Sequence, residues 1–267
     1  MARRVTDWHL GLYLITVLAF GWRVFTVLHW YAHPVVWGDA FYYHGAANLL
    51  VEGHGLVNPF PYASHHRLVP SEDFPPLFTL YLAAASAVGA TSFFAHQIWC
   101  CVLGAATVPV VGLAGREAAG PAVGLMAAAV AAFYPNFWIP NGQVLSETLA
   151  MFMTAVVLLA ALRFWRRPRL AGAAGLGAAI GLAALARDEL LSSLVLLALP
   201  LALLARQGAA GPRPWSRTAP GRPRLAWAPR LKMAGLAFLS AAVVIAPWSA
   251  YNATRFQRFE LISAGLG

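Results

Sequence analysis

The chain has 267 residues, of which 60% are hydrophobic and only 11% are charged, and its formal net charge is +9. Soluble domains carry about a quarter charged residues, so one globular core could not bury this much apolar side chain, and the composition predicts a protein that lies in lipid. The basic residues do not indicate nucleic-acid binding, because they concentrate beside apolar segments, as in membrane proteins of fixed orientation. The partner that the composition predicts is therefore the lipid bilayer.

Eight apolar segments follow one another along the chain. Each is expected to be a helix, because backbone groups in lipid must form their hydrogen bonds within the segment. The segments cover residues 10–30, 75–90, 93–114, 121–134, 148–165, 170–186, 190–205 and 233–251. Together they predict an all-α, polytopic helical bundle that forms a single transmembrane domain over residues 1–267.

Two polar stretches interrupt the apolar segments. Residues 31–74 hold four of the ten acidic residues and most of the histidines. We expect this stretch to be a long first extracytoplasmic loop that contains interfacial helices. Residues 207–232 are rich in proline, glycine and arginine, which predicts a flexible basic loop at the anionic cytoplasmic surface of the membrane.

Basic residues predict the orientation of the chain in the cell membrane. Arg3 and Arg4 place the N-terminus in the cytoplasm, and the four arginines between positions 163 and 169 lie on the same side. Residues 75–114 must then cross the membrane an odd number of times, although they read as two helices. Either one of these helices is re-entrant or interfacial, or Pro109 divides the second into two short passes. The sequence leaves both alternatives open.

Asp39 lies just beyond the extracytoplasmic end of the first apolar segment. If the stretch is helical, Asp39 and Tyr43 share one face at a spacing of four residues. A carboxylate at this place could deprotonate an acceptor hydroxyl or hold a divalent cation. The alternative is that Asp39 only caps the N-terminus of an interfacial helix.

Glu147 and Arg187 are predicted to lie on the same side of the membrane as Asp39. Glu147 begins an inward helix, where the helix dipole favours an anion, and the alternative is a simple capping residue. Arg187 ends an outward helix and could bind a phosphate through two parallel hydrogen bonds. The alternative for Arg187 is a local ion pair with Asp188 or Glu189.

Two features inside the apolar segments complete this sequence-based description. Gly177 and Gly181 form a small-xxx-small face, which predicts close packing against another helix. Arg23 is the main ionisable residue within a segment, whereas a transporter should have several near the membrane midplane. This distribution favours chemistry at the membrane surface over a pathway through the bundle.

Short motifs along the whole chain resemble those of a known family. They are Gly38-Asp39 with Tyr43, Gly53-His54-Gly55, Pro75-Pro76-Leu77, Tyr134-Pro135-Asn136, Ser146-Glu147-Thr148-Leu149, Ala186-Arg187-Asp188-Glu189, and Ala246-Pro247-Trp248 with Asn252. In order and spacing these motifs are similar to those of a group of bacterial GT-C glycosyltransferases, the protein O-mannosyltransferases and aminoarabinose transferases. This group resembles glycosyltransferase family 39. The resemblance implies a GT-C membrane fold in which Asp39 and Glu147 are catalytic acids. It also implies that Arg187, Tyr43 and His54 bind substrate.

The implied activity is transfer of a sugar from a polyprenyl-phosphate donor to a hydroxyl of a protein, lipid or glycan acceptor on the extracytoplasmic face. Because the leaving group is a phosphate, the reaction needs a base, assigned to Asp39, and a cation, assigned to Arg187. In-line attack would invert the anomeric centre. Family members often carry a second acid directly after the first, where this chain has Ala40, so no metal-binding residues are assigned, although a divalent cation is compatible with the site.

Two further expectations concern the extent and the class of the protein. Members of the family usually continue with more helices and an outer domain, so the resemblance implies that this chain corresponds to the N-terminal part. The alternative to an enzyme is a non-catalytic membrane protein, such as a carrier, a lipid translocator or an accessory subunit.

Overall fold

A computed structural model describes residues 2–206, 225–257 and 260–264, and the regular structure in these ranges is helical. The helices are α1 (Ala2–Trp30), α2 (Asp39–Val51), α3 (Pro59–His65), α4 (Pro76–Ala87), α5 (Phe93–Ala119), α6 (Pro121–Phe133), α7 (Ile139–Gln143), α8 (Glu147–Arg166), α9 (Leu170–Ala186), α10 (Leu199–Leu203) and α11 (Trp227–Ala253). Short 3-10 segments cover Pro135–Phe137 and Asp188–Ser192, and a π-helix covers Leu194–Ala198. Most of the predicted basic loop, residues 207–224, lies outside the described ranges.

Within the described ranges, four helices are long and apolar enough to cross a membrane. They are Asp7–Trp30 of α1, then α5, α8 and α11. A fifth candidate is formed by α6 together with Pro135–Gln143, and this pair is bent by 76°. The prediction of an all-α, polytopic membrane protein is confirmed at this level.

The region between residues 75 and 114 contains one helix of full membrane length. The helix α5 continues through Pro109 without a break, so the alternative in which this proline separates two passes is wrong. The helix α4 has 12 residues and is about 18 Å long at 1.5 Å per residue, well short of the roughly 30 Å hydrocarbon core. With α5 as the one full-length helix in this region, the structure fits the alternative in which the other helix, α4, is re-entrant or interfacial.

The bundle has two ends, a loop end and an arginine end. The loop end contains α2, α3, the first residues of α8 and the last residues of α9. The arginine end contains Arg163–Arg169, which cover the end of α8 and its connection to α9, and the end of α5, where Glu117 pairs with Arg166 at 2.8 Å. The antiparallel pair α8 and α9 therefore spans from one end of the bundle to the other.

The helices α9 and α11 pack with their backbones in close contact. A Cβ atom on Gly177 would overlap the backbone of Ala237, and a Cβ atom on Gly181 would lie 3.0 Å from the carbonyl oxygen of Ala241. This confirms the close packing that the spacing of the two glycines predicts. The contact holds the end of α9, and with it Arg187, in a fixed position.

Arg23 stabilises the break between α6 and α7. Its side chain is 0% exposed, and Nη1 donates to the carbonyl oxygen of Ala132 at 3.0 Å and to that of Ala19 on its own helix. Nη2 donates to the carbonyl oxygens of Ala131 and Phe137, each at 3.2 Å. The last carbonyls of a helix have no partner within that helix, and the negative end of its dipole favours a cation. The charge inside α1 thus has a structural role.

Candidate functional site

A cavity of about 410 Å³ opens at the loop end. The first loop, the start of α8, the end of α9 and a segment near the C-terminus together line it. Its lining residues are Asp39, Tyr43, Asp73, Phe74, Pro75, Ser146, Ala186, Arg187, Asp188, Glu189 and Ser263. Three of the five residues predicted for the site are among them, namely Asp39, Tyr43 and Arg187.

Asp39 and Tyr43 come from the first two turns of α2. Gly38 is the N-cap at a φ of 57°, a left-handed conformation that favours glycine, and Asp39 is the first helical residue. The capping alternative for Asp39 is therefore wrong. Its carboxylate is exposed and forms no hydrogen bond within the described part of the chain, so it remains available to a ligand.

Tyr43 lies one turn further on and forms part of the floor of the cavity. Its side chain is 1% exposed and it interacts with the side chain of Ser146, the N-cap of α8. Burial raises the pKa of the Tyr43 phenol, and the nearby carboxylates of Asp39 and Glu147 add to that effect. The phenol therefore stays neutral at physiological pH and can donate a hydrogen bond. As the spacing predicts, it shares the cavity with Asp39.

Arg187 joins the start of α8 to the end of α9. Its Nη1 donates to Glu147 Oε1 at 2.7 Å and its Nε donates to Glu189 Oε1 at 2.8 Å. The local ion pair that the sequence leaves open is present, together with a contact to a residue 40 positions away. Partial burial alone would lower the pKa of Arg187, but the two carboxylates raise it above the ordinary value. Glu147 reaches the site through Arg187, and Ser146, not Glu147, is the N-cap of α8.

Asp73 also lines the cavity, and the sequence predicts no role for it. Its Oδ2 accepts hydrogen bonds from Asn58 Nδ2 at 3.0 Å and from Ser71 Oγ at 2.9 Å, and Tyr42 lies 2.6 Å from that hydroxyl. Arg255, just after α11, donates to the carbonyl oxygen of Ser71 at 3.1 Å. These bonds attach the first loop to α2 and to the end of the last helix.

Asp188 and Ser263 also line the cavity, and the sequence predicts no role for Ser263 and only a possible ion pair with Arg187 for Asp188. Ser263 Oγ donates to Asp188 Oδ2 at 2.7 Å, so the segment near the C-terminus closes one side of the cavity. The only sequence signal for Asp188 is its position beside Arg187. No local pattern predicts a contact between residues 75 positions apart.

His54 lies away from the cavity. Its Nε2 is 3.9 Å from Glu52 Oε2, and its ring is 5.5 Å from that of Tyr62. Of the other first-loop histidines, His44 has its Nδ1 atom 3.0 Å from Nδ1 of His96 on α5. The resemblance-based expectation that His54 binds substrate gains no support from this position.

The cavity carries an excess of negative charge. Its lining contains the carboxylates of Asp39, Asp73, Asp188 and Glu189 and one guanidinium, that of Arg187, which gives a formal charge of −3. Such a cavity attracts cations and admits an anion only beside Arg187 or together with a cation. In the described part of the chain, no group of three or more histidine, cysteine, aspartate or glutamate side chains is arranged to hold a metal ion.

Comparisons with protein-family models, with curated proteins and with solved structures give no match for this chain. A fold alone does not determine a function. What can be said of the function therefore depends on the chemistry of the cavity and on its position in the bundle.

Proposed function

We propose that the protein is a membrane glycosyltransferase of GT-C type, which transfers a sugar from a polyprenyl-phosphate donor to an acceptor hydroxyl. The observation that carries the proposal is that Asp39 and Arg187 line one cavity. Asp39 supplies an exposed carboxylate without a hydrogen-bond partner among the described residues, and Arg187 supplies a cation. A base and a cation within one cavity are what transfer from a phosphate leaving group requires.

Each residue then has a defined part in the reaction. The carboxylate of Asp39 accepts the proton of the acceptor hydroxyl, and the hydroxyl oxygen bonds to the anomeric carbon as the bond to the phosphate oxygen breaks. The donor leaves as polyprenyl phosphate, and in-line attack inverts the anomeric centre. Arg187 stabilises the phosphate with Nη2, because Nε and Nη1 are bonded to carboxylates. Glu147, for which the family resemblance implies the role of a second catalytic acid, positions Arg187.

The negative charge of the cavity implies that the donor phosphate is accompanied by a cation. A formal charge of −3 repels an anionic phosphate, and Arg187 alone does not offset it. Magnesium is commonly bound by one or two protein carboxylates together with phosphate oxygens of the substrate, so a preformed cage of protein ligands is not needed. Activity should therefore be lost on chelation and restored by magnesium or manganese.

An apolar groove beside the cavity fits the lipid part of the donor. It has a volume of about 560 Å³, and ten of its eleven lining residues are apolar. Leu191 and Leu261 of the groove belong to the same two segments as Glu189 and Ser263 of the cavity. An isoprenoid chain in this groove would place its phosphate near Arg187.

The orientation is part of the same proposal. Basic residues concentrate on the cytoplasmic side of membrane proteins, so the basic N-terminus and the arginines of the arginine end support a cytoplasmic location for that end. We infer that the cavity faces the extracytoplasmic side of the cell membrane. Nucleotide sugars are not supplied there, which is why a lipid-linked donor is proposed. The carrier alternative receives no support from Arg23, because the guanidinium of this residue is bonded to backbone carbonyls.

The test is Asp39→Asn expressed in a strain from which the gene is deleted. We expect loss of the glycoconjugate and accumulation of a lipid-linked sugar, both measured by mass spectrometry of lipid and envelope extracts. Glu52→Gln is the matched control, since Glu52 is an exposed acid of the same loop outside the cavity. If the Asp39→Asn protein is stable and glycosylation is normal, the role proposed for this carboxylate is wrong.

A further inference from the structure

A second cavity lies at the arginine end, between α8, α9 and the end of α5. Its volume is about 610 Å³. Its polar lining consists of the side chains of Arg163, Arg166, Arg167, Arg169 and Glu117. This arginine cavity is separated from Asp39 and Arg187 by the length of α8, whose 20 residues extend about 30 Å. It has no part in the proposed glycosyl transfer.

The arginine cavity carries a strong positive charge. Four arginines and one glutamate give a formal charge of +3, and that glutamate, Glu117, already pairs with Arg166 at 2.8 Å. The side chains of Arg163, Arg167 and Arg169 are exposed, and no described carboxylate forms an ion pair with them. Residues 207–224 contain no acidic residue, so they bring no counter-charge. The charge of the arginine cavity therefore favours an anion from outside the chain.

The start of α9 adds to the positive potential of the arginine cavity. The helix begins at Leu170, and its N-cap, Arg169, makes no side-chain capping bond. Amide groups in the first turn of a helix have no partner within the helix and attract anions. A phosphate near Arg167 and Arg169 would therefore meet amide donors as well as guanidinium groups.

The rest of the lining of the arginine cavity is apolar. It extends from the arginines between Val156 and Ala160 of α8 and Leu176 and Ala179 of α9. The space exists because Gly172 and Gly175 present no side chain to it. From Arg163 to Val156 is seven residues, or about 10 Å at 1.5 Å per residue, which accommodates part of an acyl chain. Free phosphate would occupy only the charged part.

We propose that the arginine cavity binds an anionic phospholipid. The phosphate lies among Arg163, Arg167 and Arg169, where planar guanidinium groups form paired hydrogen bonds to its oxygens. One acyl chain lies between α8 and α9. A zwitterionic headgroup is disfavoured, because its ammonium group would enter a region of formal charge +3. Basic pockets between helices are a known means of binding acidic headgroups.

The experiment is a lipid competition followed by native mass spectrometry. The full chain, purified in a neutral detergent, is incubated with equal amounts of dioleoyl-phosphatidylglycerol and dioleoyl-phosphatidylcholine. We expect one molecule of phosphatidylglycerol to be retained in preference. The double variant Arg163→Gln/Arg167→Gln should reduce this preference roughly 10- to 30-fold, since each basic residue near a headgroup contributes about a factor of five.

The matched control is Arg206→Gln/Lys232→Gln. Both residues are exposed basic residues outside the lining of the arginine cavity, so this variant removes the same number of charges. It should keep the preference for phosphatidylglycerol. An equal loss in the control pair would overturn the proposal, because it reduces the effect to general surface charge. Equal binding of the two lipids by the wild-type protein would also overturn it, because it shows no preference for an anionic headgroup.

A second variant tests the apolar part of the cavity without changing any charge. A Cβ atom at Gly175 meets no heavy atom within 4 Å, so the backbone there has room for a side chain. We expect the side chain of Gly175→Leu to fill part of the space. We expect it to weaken retention of phosphatidylglycerol several-fold, and unchanged retention would contradict binding of an acyl chain there, even if the double arginine variant fails to fold. Millimolar inorganic phosphate should not displace the lipid. Full displacement would assign the arginines to a free anion instead.

Discussion

Replacing Arg23 by methionine should destabilise the bent segment between α6 and α7. The substitution keeps an unbranched side chain as far as the position of Nε and removes the guanidinium that donates to the carbonyl oxygens of Ala131, Ala132 and Phe137. A buried acceptor that loses its partner costs about 1–3 kcal/mol, and part of this is offset because a buried charge is also removed. Three carbonyls without a partner would cost about 3–9 kcal/mol on this scale. With the offset from removing the buried charge, we expect a net loss of about 3–5 kcal/mol in the free energy of unfolding.

The assay is equilibrium unfolding from dodecylmaltoside micelles by added sodium dodecyl sulfate, followed by circular dichroism. Arg23→Lys should lie between the wild type and Arg23→Met, because an ammonium group keeps the charge but cannot donate to four carbonyls in the same geometry. Tyr13→Leu is the control on the same helix, since Tyr13 is 64% exposed and should change stability by less than about 0.5 kcal/mol. If Arg23→Met is as stable as Tyr13→Leu, the structural role given to Arg23 is wrong.

Gly104→Ala should perturb the environment of Arg23 without changing Arg23 itself. A Cβ atom at Gly104 would lie 2.8 Å from Nε of Arg23 and would contact the side-chain amide of Asn141. Overpacking of a filled interior costs about 1–3 kcal/mol, so this variant should also be less stable although Arg23 is intact. In the double variant the two losses should not add, because both act on the same contact.

Three other predictions concern packing, pH and orientation. Gly177→Leu should prevent the backbone of α9 from packing against Ala237 of α11. It should lower the free energy of unfolding more than Arg23→Met does. Burial lowers the pKa of His44, so the stability it contributes is present above roughly pH 6.5 and is lost as the pH falls through the folded pKa. Under denaturant at mildly acidic pH, His44→Asn should therefore lose less stability than the wild type. A membrane-impermeant maleimide added to intact cells should label Val35→Cys, and should label Arg167→Cys only after permeabilisation.

Each of these three predictions has an internal control. A Cβ atom on Gly235 of α11 meets no heavy atom within 4 Å, so Gly235→Leu should be tolerated where Gly177→Leu is not. For the pH experiment, wild type and His44→Asn should respond alike above pH 7, and a parallel acid response would exclude His44 as the cause. For the labelling, Cys100 and Cys101 are both buried, so the wild-type background should be silent. Labelling of Val35→Cys only in permeabilised cells would reverse the proposed orientation.

Local periodicity predicted those parts of the fold and of the site that depend on neighbouring residues. Asp39 and Tyr43 share a cavity because residues four positions apart on a helix lie on one face. Gly177 and Gly181 share a packing face for the same reason. The apolar segments became helices because each contains enough apolar residues to be recognised without knowledge of its neighbours.

Contacts between distant parts of the chain could not be predicted in this way. Asp73 and Ser263 enter the cavity only because Arg255 and Asp188 hold their segments there, over separations of 184 and 75 residues. The position of His54 also depends on how the first loop folds back, which its Gly-His-Gly motif does not specify. Pro109 was a potential break by sequence, yet packing keeps α5 continuous.

The bond between Arg187 and Glu147 gives the pair of helices α8 and α9 an unusual closure. At the arginine end the two helices are joined by the chain itself, and at the loop end they are joined by this one ion pair. The hairpin is therefore a ring with one covalent junction and one reversible junction. A ligand that takes Nη1 of Arg187 must release Glu147 and open the ring, whereas a phosphate bound at Nη2 leaves the ion pair, and with it the spacing of these two helix ends, unchanged.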